Sequence, residues 1–236
     1  MMKTLDFAGH FPQAPFPGRG AMTILQAPAA ARDGGRSTGG AWPDAVLLFR
    51  PLLAVDIQDY SARTPAMQLR AQTCLRAAMS AAAEESGLVP QEWSQQLRGD
   101  GELDVLPGDA LVAVTGEYAP ALERALARAN REGGADDRLR VRLALHHGAL
   151  VTGPPASFGP AGEAPVLVSR LLDSRPLRRY LTLHPERDVA FIVSVQIYRD
   201  VISSGLCALP PHHFRYVRTV IKGSPYQGYI HEPDRP

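Results

Sequence analysis

The sequence predicts an α+β fold, in which helices pack on one main β-sheet. Short apolar runs, typical of buried strands, alternate along the chain with longer segments whose apolar residues recur at helical spacing. Two strand-like segments, 93–97 and 102–106, are joined by a glycine-containing turn in the middle of the chain. A second hairpin is predicted over 214–230. Strands that alternate with helices, together with hairpins, are typical of helices layered on a sheet.

Composition restricts the class of protein. The 236 residues are 45% hydrophobic, which is enough for one sizeable domain with tails. A net charge of +1 provides no basic surface, so nucleic acid is not an expected partner. No segment has the length and hydropathy of a membrane span or a secretion signal, so we expect a cytoplasmic protein. Cys74 and Cys207 lack the spacing of metal ligands and are expected to be small buried side chains.

Residues 1–43 differ in composition from the rest of the chain. Proline and glycine recur through them and no apolar period persists. We therefore predict a flexible arm over 1–43, followed by a folded domain over 44–232. The arm is either a plain linker or a segment that binds a protein regulator.

The folded domain is predicted to begin with two apolar runs, 45–49 and 52–57, that form one strand region interrupted at Pro51. Thr64, followed by a proline, has the cap and first-turn residues of a helix. The apolar stripe of this helix runs from Met67 to Ala82, about four turns. A second helix is predicted over 118–131, where apolar residues again recur at helical spacing.

Apolar and basic residues alternate over 139–145, which predicts a half-exposed strand. The strand runs into two adjacent histidines, His146 and His147. Because neighbouring residues on a strand point to opposite faces, we expect one histidine in the core and the other in solvent, not a zinc site.

The remaining elements follow in order. A loop rich in glycine and proline is predicted over 152–162, and a helix over 164–180. A short buried strand over 189–193 precedes a helix that runs through Val201. The predicted hairpin over 214–230 completes the sheet.

The candidate site consists of two aspartates. Gly99 and Gly101 flank Asp100 in the middle hairpin, and we expect both glycines to adopt positive φ in a tight turn. Asp56 is a lone acid at the end of the first apolar run. Mg²⁺ is commonly held by one or two carboxylates together with substrate phosphates. The pair therefore predicts a divalent-cation site for a nucleoside triphosphate; the alternative is a strand-end acid and an ordinary turn aspartate.

In the order of its motifs the chain resembles the class III nucleotidyl cyclases, the catalytic domains of adenylate and guanylate cyclases, over residues 45–230. Segment 55–61 is similar to the family's first strand with its metal aspartate, and 98–101 to the hairpin with the second one. Segment 142–148 is similar to the strand that ends in His-x-Gly. Segment 162–172 is similar to the helix that bears the transition-state arginine.

The resemblance implies a ferredoxin-like palm and a head-to-tail homodimer with sites at its interface. It implies that Asp56 and Asp100, with the carbonyl of Ile57, hold two Mg²⁺ or Mn²⁺ ions. These ions would bind the triphosphate and help the ribose 3′-hydroxyl attack the α-phosphate, with pyrophosphate leaving. Arg170 of the other protomer would neutralise the charge that develops on the phosphates. The alternative for Arg170 is an ion pair with Asp173 on a solvated helix face.

The resemblance places the substrate-binding positions at Gln96, Gly99, Gly159 and Val166, and three of them depart from the family pattern. Val166 replaces an asparagine that holds the ribose. Gln96 replaces a lysine that reads the purine, and Gly159 replaces the acidic partner of that lysine. Because an amide both donates and accepts hydrogen bonds, Gln96 could read another base edge, including that of a pyrimidine; the alternative is an ordinary surface residue of the strand.

Three hypotheses about function follow. The first is an active cyclase that makes a cyclic mononucleotide with non-standard base choice, which the retained carboxylates favour. The second is an inactive pseudo-cyclase that acts as a dimerisation or nucleotide-sensing signalling module, which the three departures favour. The third is another palm-fold enzyme such as a diguanylate cyclase, against which the absence of that family's double-glycine acidic signature argues.

Overall fold

The computed structural model describes residues 45–134, 137–153 and 159–233. Its centre is a seven-stranded sheet with the strand order β2-β3-β1-β4-β5-β7-β6. The strands are β1 Val46–Ile57, β2 Ser94–Arg98, β3 Gly101–Val105, β4 Val141–Thr152, β5 Val189–Ser194, β6 Phe214–Ile221 and β7 Ser224–His231. β4 and β5 pair in parallel, whereas the other neighbouring strands pair antiparallel.

Helices cover both faces of this sheet. They are α1 Pro65–Glu85, α2 Leu111–Ala113, α3 Ala119–Glu132, α4 Glu163–Leu172, α5 Arg175–Leu183 and α6 Val195–Ile197. Wider π-helical turns, Val114–Tyr118 and Tyr198–Ile202, lead into α3 and follow α6. The predicted α+β sheet with packed helices is confirmed. Among the described helices, none combines the length and the hydropathy of a membrane span.

β1, which carries Asp56, lies between β3 and β4 in the sheet. Leu53, Val55 and Ile57 belong to the core under α1 and α3. Leu52 and Ala54 belong to the core under α4 and α5. Because side chains alternate along a strand, the acid at position 56 points to the α4 side. The two-sided core thus decides which helix faces the candidate site.

α1 begins as the sequence predicts. The Thr64 hydroxyl accepts a hydrogen bond from the Met67 amide at 3.4 Å, and Pro65 is the first helical residue. This cap satisfies one of the amides that the first turn leaves unpaired. Cys74 on this helix and Cys207 are both free thiols and only partly buried.

The predicted interruption of the first strand at Pro51 is wrong, because β1 is continuous. Pro51 pairs with His147 of β4 in register. Its carbonyl accepts from the Leu106 amide at 2.9 Å, just beyond the end of β3. On a strand, the N–H and the carbonyl of one residue point to the same side, which for Pro51 is the side of β3. The absence of an N–H on Pro51 therefore removes no hydrogen bond from the ladder with β4.

The single helix predicted over 164–180 is also wrong. The chain forms α4 and α5 with a break at Asp173 and Ser174. Pro176 lies in the first turn of α5. Proline lacks an N–H and collides with the carbonyl four residues earlier, so a helix cannot pass through this point unbroken.

Two predictions fall wholly or partly outside the described residues. The arm over 1–43 is one of them, so its role in binding a regulator stays a prediction. The loop over 152–162 is the other, since 154–158 are not described.

Candidate functional site

A two-residue turn joins β2 to β3 and carries Asp100. Arg98 pairs with Gly101, and Gly99 and Asp100 form the turn between them. The expected positive φ at both glycines is wrong. Gly101 is required for a different reason: a Cβ there would lie 1.9 Å from the Val55 carbonyl oxygen. A side chain at 101 would therefore push the hairpin away from β1.

The structure brings Asp56 and Asp100 together. Asp56 lies opposite Gly101 in the β1–β3 register. The Ile57 amide donates to the Asp100 carbonyl oxygen at 2.7 Å, which closes the turn onto β1. Both aspartates line one small cleft of about 130 Å³ on the α4 face of the sheet. Asp56 is buried, whereas Asp100 is exposed at the mouth.

An arginine that was not predicted as a site residue holds Asp56. Arg142 of β4 is the register partner of Asp56. Its Nε donates to one carboxylate oxygen at 2.7 Å and its terminal nitrogen to the other. Such a two-point contact is the strongest geometry for an arginine and a carboxylate. The alternation of basic residues over 139–145 was visible in the sequence, but the strand register that aims one of them at Asp56 was not.

Burial raises the pKa of Asp56 to about 6, although the adjacent Arg142 guanidinium lowers it. Asp173 and Asp100 add to the increase because their negative charges are close. Like charges that share a small space disfavour ionisation. A cation placed between these carboxylates would relieve that repulsion, so its binding is expected to be weaker below pH 6.

The end of α4 forms the other wall of the cleft. Ser169, Leu172 and Asp173 line it, at the spacing of one helical face. The alternative ion pair between Arg170 and Asp173 is not found: Asp173 pairs with Arg178 at 2.8 Å. Asp173 is a third carboxylate near the site that the sequence analysis did not identify as a site residue.

Arg170 and Val166 occupy a different strip of α4. They are one turn apart, Arg170 is half-buried, and Val166 is 48% exposed. Neither residue lines the cleft that holds Asp56. Within the described ranges, Arg170 forms no ion pair. One copy of the chain therefore does not join Arg170 to the two aspartates.

The two positions at which the resemblance places base recognition touch each other. Gly159 has φ +71°, and a Cβ on it would lie 1.2 Å from Nε2 of Gln96. The Gln96 amide thus fills the space that a side chain at 159 would occupy. With glutamine at position 96, an acidic side chain at position 159 would collide with the amide, so packing couples the residue types at these two positions.

The His-x-Gly motif has a packing role in this structure. His146 is buried and its Nδ1 lies 2.9 Å from the Ser194 hydroxyl oxygen. A Cβ at position 148 would be 2.6 Å from Nε2 of His146, so Gly148 leaves room for the ring. Burial lowers the pKa of His146 to about 4. The part of the chain described holds no cluster of three or more histidine, cysteine or acidic residues suited to a metal ion.

Beyond the turn, β3 carries two buried acids that the sequence analysis did not single out. Glu102 is 9% exposed and Asp104 is fully buried. Neither Asp104 oxygen has a hydrogen-bond donor among the described residues. Burial, and the nearby Glu102 carboxyl, raise the pKa of Asp104 far above its usual range.

No protein-family profile matches the chain, and no curated protein does. Among solved structures it is similar to an adenylate/guanylate cyclase/hydrolase from Silicibacter pomeroyi, with a TM-score of 0.59 and 18% identity over 81% of this chain and 100% of that one. It is similar to the guanylyl cyclase Cya2, with a TM-score of 0.58 and 13% identity over 81% of this chain and 97% of that one.

A third similar structure is the catalytic core of a rhodopsin-guanylyl cyclase with converted specificity, in complex with ATPαS. Its TM-score is 0.53 and its identity 14%, over 80% of this chain and 98% of that one. All three alignments cover nearly the whole of the solved chain, so the likeness is one of the complete fold. The chain has the fold of the class III adenylate and guanylate cyclase domains.

Proposed function

We propose that two copies of this chain bind a nucleoside triphosphate and convert it to a 3′,5′-cyclic nucleotide and pyrophosphate. The observation that carries the proposal is the meeting of Asp56 and Asp100 in one cleft on the α4 face. They come from segments 44 residues apart, and strand register brings them together. The cyclase domains of the same fold act on nucleotides, and one of them is in complex with ATPαS.

The residues present fit Mg²⁺ or Mn²⁺. The cleft offers the carboxylates of Asp56 and Asp100 and the hydroxyl of Ser169. Asp173 also lines it, but its carboxylate pairs with Arg178, so two acidic ligands are proposed and not a group of three. Carboxylate and hydroxyl oxygens are hard donors, which both ions prefer. The carbonyl of Ile57 is a further proposed ligand. When bound, the two ions would stabilise charge on the phosphates and acidify the ribose 3′-hydroxyl.

Arg142 has two roles in this proposal. Without cations it neutralises Asp56 by a two-point contact. If the Asp56 oxygens held cations instead, the Arg142 guanidinium would be free to contact the triphosphate. A planar guanidinium matches pairs of phosphate oxygens, so Arg142 would then bind the substrate.

Arg170 is proposed to act from the second copy. It lies on the strip of α4 that does not line its own cleft, next to the exposed Val166. Only a neighbouring copy can bring this strip opposite Asp56 and Asp100. In that position Arg170 would neutralise charge that grows on the phosphates as the bond to the α-phosphate forms.

Base selection is proposed to rest on the Gln96 amide, held against Gly159. The amide offers one acceptor and two donor hydrogens, so it suits several base edges. A lysine and an acid would present one fixed charge pattern instead. We therefore expect weak discrimination among the four bases.

A pseudo-cyclase is the second candidate. The observation that favours it is the loss of a polar group at Val166, on the same strip as Arg170. A ribose without its hydrogen-bond partner would be held less firmly, and misplacement of the attacking group is costly for rate. In this case the chain would bind nucleotide and dimerise without turnover.

The test is incubation of the purified chain with each of ATP, GTP, CTP and UTP and Mn²⁺, with pyrophosphate and cyclic product measured separately. We expect both products in equal amounts. Asp56→Asn and Asp100→Asn should each reduce the rate at least about 100-fold. Asp109→Asn, an exposed acid beyond the other end of β3, is the matched control and should leave the rate unchanged.

The outcomes separate the candidates. Mn²⁺ binding that is lost in Asp56→Asn, without product from any nucleotide, supports the pseudo-cyclase. Neither product nor Mn²⁺ binding in the wild-type chain contradicts the metal assignment altogether. Turnover that survives both substitutions contradicts the roles of the two aspartates.

A further inference from the structure

One side chain attaches the turn that carries Asp100 to helix α1. Nε2 of Gln72 donates to the Gly99 carbonyl oxygen at 2.7 Å and to the Tyr60 hydroxyl oxygen at 2.6 Å. An amide nitrogen has two hydrogens, so both bonds form at once. Gln72 thus joins the loop that follows β1 to the turn between β2 and β3. These are the two segments next to the proposed cation ligands.

Both peptide groups that flank the Asp100 α-carbon are held. The carbonyl of Gly99 accepts from Gln72, and the carbonyl of Asp100 accepts from the Ile57 amide at 2.7 Å. When both peptide planes are fixed, the direction of the Cα–Cβ bond is fixed as well. The position of the Asp100 Cβ, to which the carboxylate is attached, is then fixed. Of these two bonds, the one from Gln72 comes from a side chain and can be removed by substitution.

Packing does little to hold this turn. A Cβ on Gly99 would meet no atom within 4 Å, and Asp100 itself is exposed. Loops with few buried contacts open at low free-energy cost. The hydrogen bond from α1 is therefore a large part of what orders the turn.

We propose that Gln72 is a positioning residue for the cation site, which sets the carboxylate of Asp100 relative to that of Asp56. The role rests on the proposed function, because it matters only where both aspartates bind cations. A site of two carboxylates loses affinity when either one must be ordered at the moment of binding. Groups that orient metal ligands typically contribute about 10- to 100-fold to metal affinity.

The test is Gln72→Met, which keeps the length of the side chain and removes the donor. Two properties are measured: Mn²⁺ affinity by electron paramagnetic resonance of the free ion, and metal-free hydrogen exchange of the Ile57 amide by NMR. We expect Mn²⁺ affinity to fall about tenfold or more. Exchange at Ile57 should accelerate about tenfold, because its acceptor lies on the freed turn.

Gln68→Met is the matched control. Gln68 lies one turn earlier on α1 and donates to the carbonyls of Tyr60 and Arg63, not to the turn. Both properties should stay at the wild-type value in this variant. Gln72→Leu, which is also uncharged and lacks the donor, replaces Gln72→Met if the latter does not fold.

Each outcome decides a separate point. Unchanged exchange at Ile57 in Gln72→Met overturns the attachment of the turn. Faster exchange with unchanged Mn²⁺ affinity overturns the positioning role, because the loss of order in the turn would then have no effect on the cation site. If the wild-type chain binds no Mn²⁺, the proposed function fails and the positioning role fails with it. The exchange rates still report whether Gln72 holds the turn.

Discussion

Acid is expected to destabilise the domain through His146, the buried histidine of β4. Burial lowers its pKa from the usual 6.5 to about 4. Between these two pH values His146 is therefore neutral in the folded state and protonated in the unfolded chain. The contribution of neutral His146 is complete above pH 6.5 and is lost as the pH falls towards 4. Each unit of pKa difference corresponds to about 1.4 kcal/mol, which gives a loss of about 2 kcal/mol at pH 5 and about 3 kcal/mol at pH 4.

Urea unfolding at pH 7, 6, 5 and 4 measures this contribution when the wild type is compared with His146→Asn. The substitution also leaves a cavity beside Ser194, but that cost is the same at every pH. Other groups, including Asp56 with its raised pKa, titrate in both proteins and cancel in the difference. The stability advantage of the wild type should therefore shrink by about 2 kcal/mol between pH 7 and pH 5.

The control removes a histidine from the surface. His212 is exposed, and His212→Gln should follow the wild type at each pH. A stability difference between wild type and His146→Asn that changes by less than about 0.5 kcal/mol between pH 7 and pH 5 would contradict this role of His146. In that case the folded state accommodates a charged His146, and its bond to Ser194 tolerates the proton.

Three further predictions concern the strands and loops around the site. Gly101→Ala should lower the free energy of unfolding in urea by about 2–3 kcal/mol, because its Cβ would lie 1.9 Å from a β1 carbonyl oxygen. Gly99→Ala, whose Cβ would meet no atom within 4 Å, should stay within about 0.5 kcal/mol of the wild type. Asp104→Asn should be more stable than the wild type at pH 7, because it removes a buried acid whose pKa burial raises far above its value in the unfolded chain. This gain should vanish towards pH 4, where the unfolded chain is protonated as well; a pH-independent gain would contradict the cause. Gly159→Ala should lower the melting temperature through its positive φ and its clash with Gln96, and Gln96→Ala added to it should recover part of the loss.

Local patterns predicted the elements well where a short-range physical cause is decisive. Thr64 and the following proline predicted the start of α1, because capping depends on residues within one turn. The helix predicted over 118–131 is α3, preceded by a π-helical turn. The break between α4 and α5 was missed because the leucine stripe continues through it, although Pro176 was a visible signal.

The candidate site was predicted in part. The aspartates at 56 and 100 were identified as a pair, and the structure brings them into one cleft. Arg142 and Asp173 were not identified as site residues, because their place beside Asp56 depends on strand register and on the end of α4. The reason given for the glycine at 101 was wrong: close approach to β1 requires it, and a positive φ does not.

The available groups can be identified from the amino-acid order alone: two acids at strand ends, a glycine that can approach a neighbouring strand, and an arginine on a later helix. The same order of residues shows that these groups lie on or next to strands whose successive side chains point to opposite faces, because this apolar pattern involves only neighbouring residues. The position of Asp56 opposite both Gly101 and Arg142 depends on the folded chain, since register is set by pairings between segments distant in the sequence. The tertiary structure also decided that α4 turns one strip towards Asp56 and another, with Arg170, away from it. The physical reason is that a strand offers two equivalent faces until helices pack on them and bury one set of side chains under each layer.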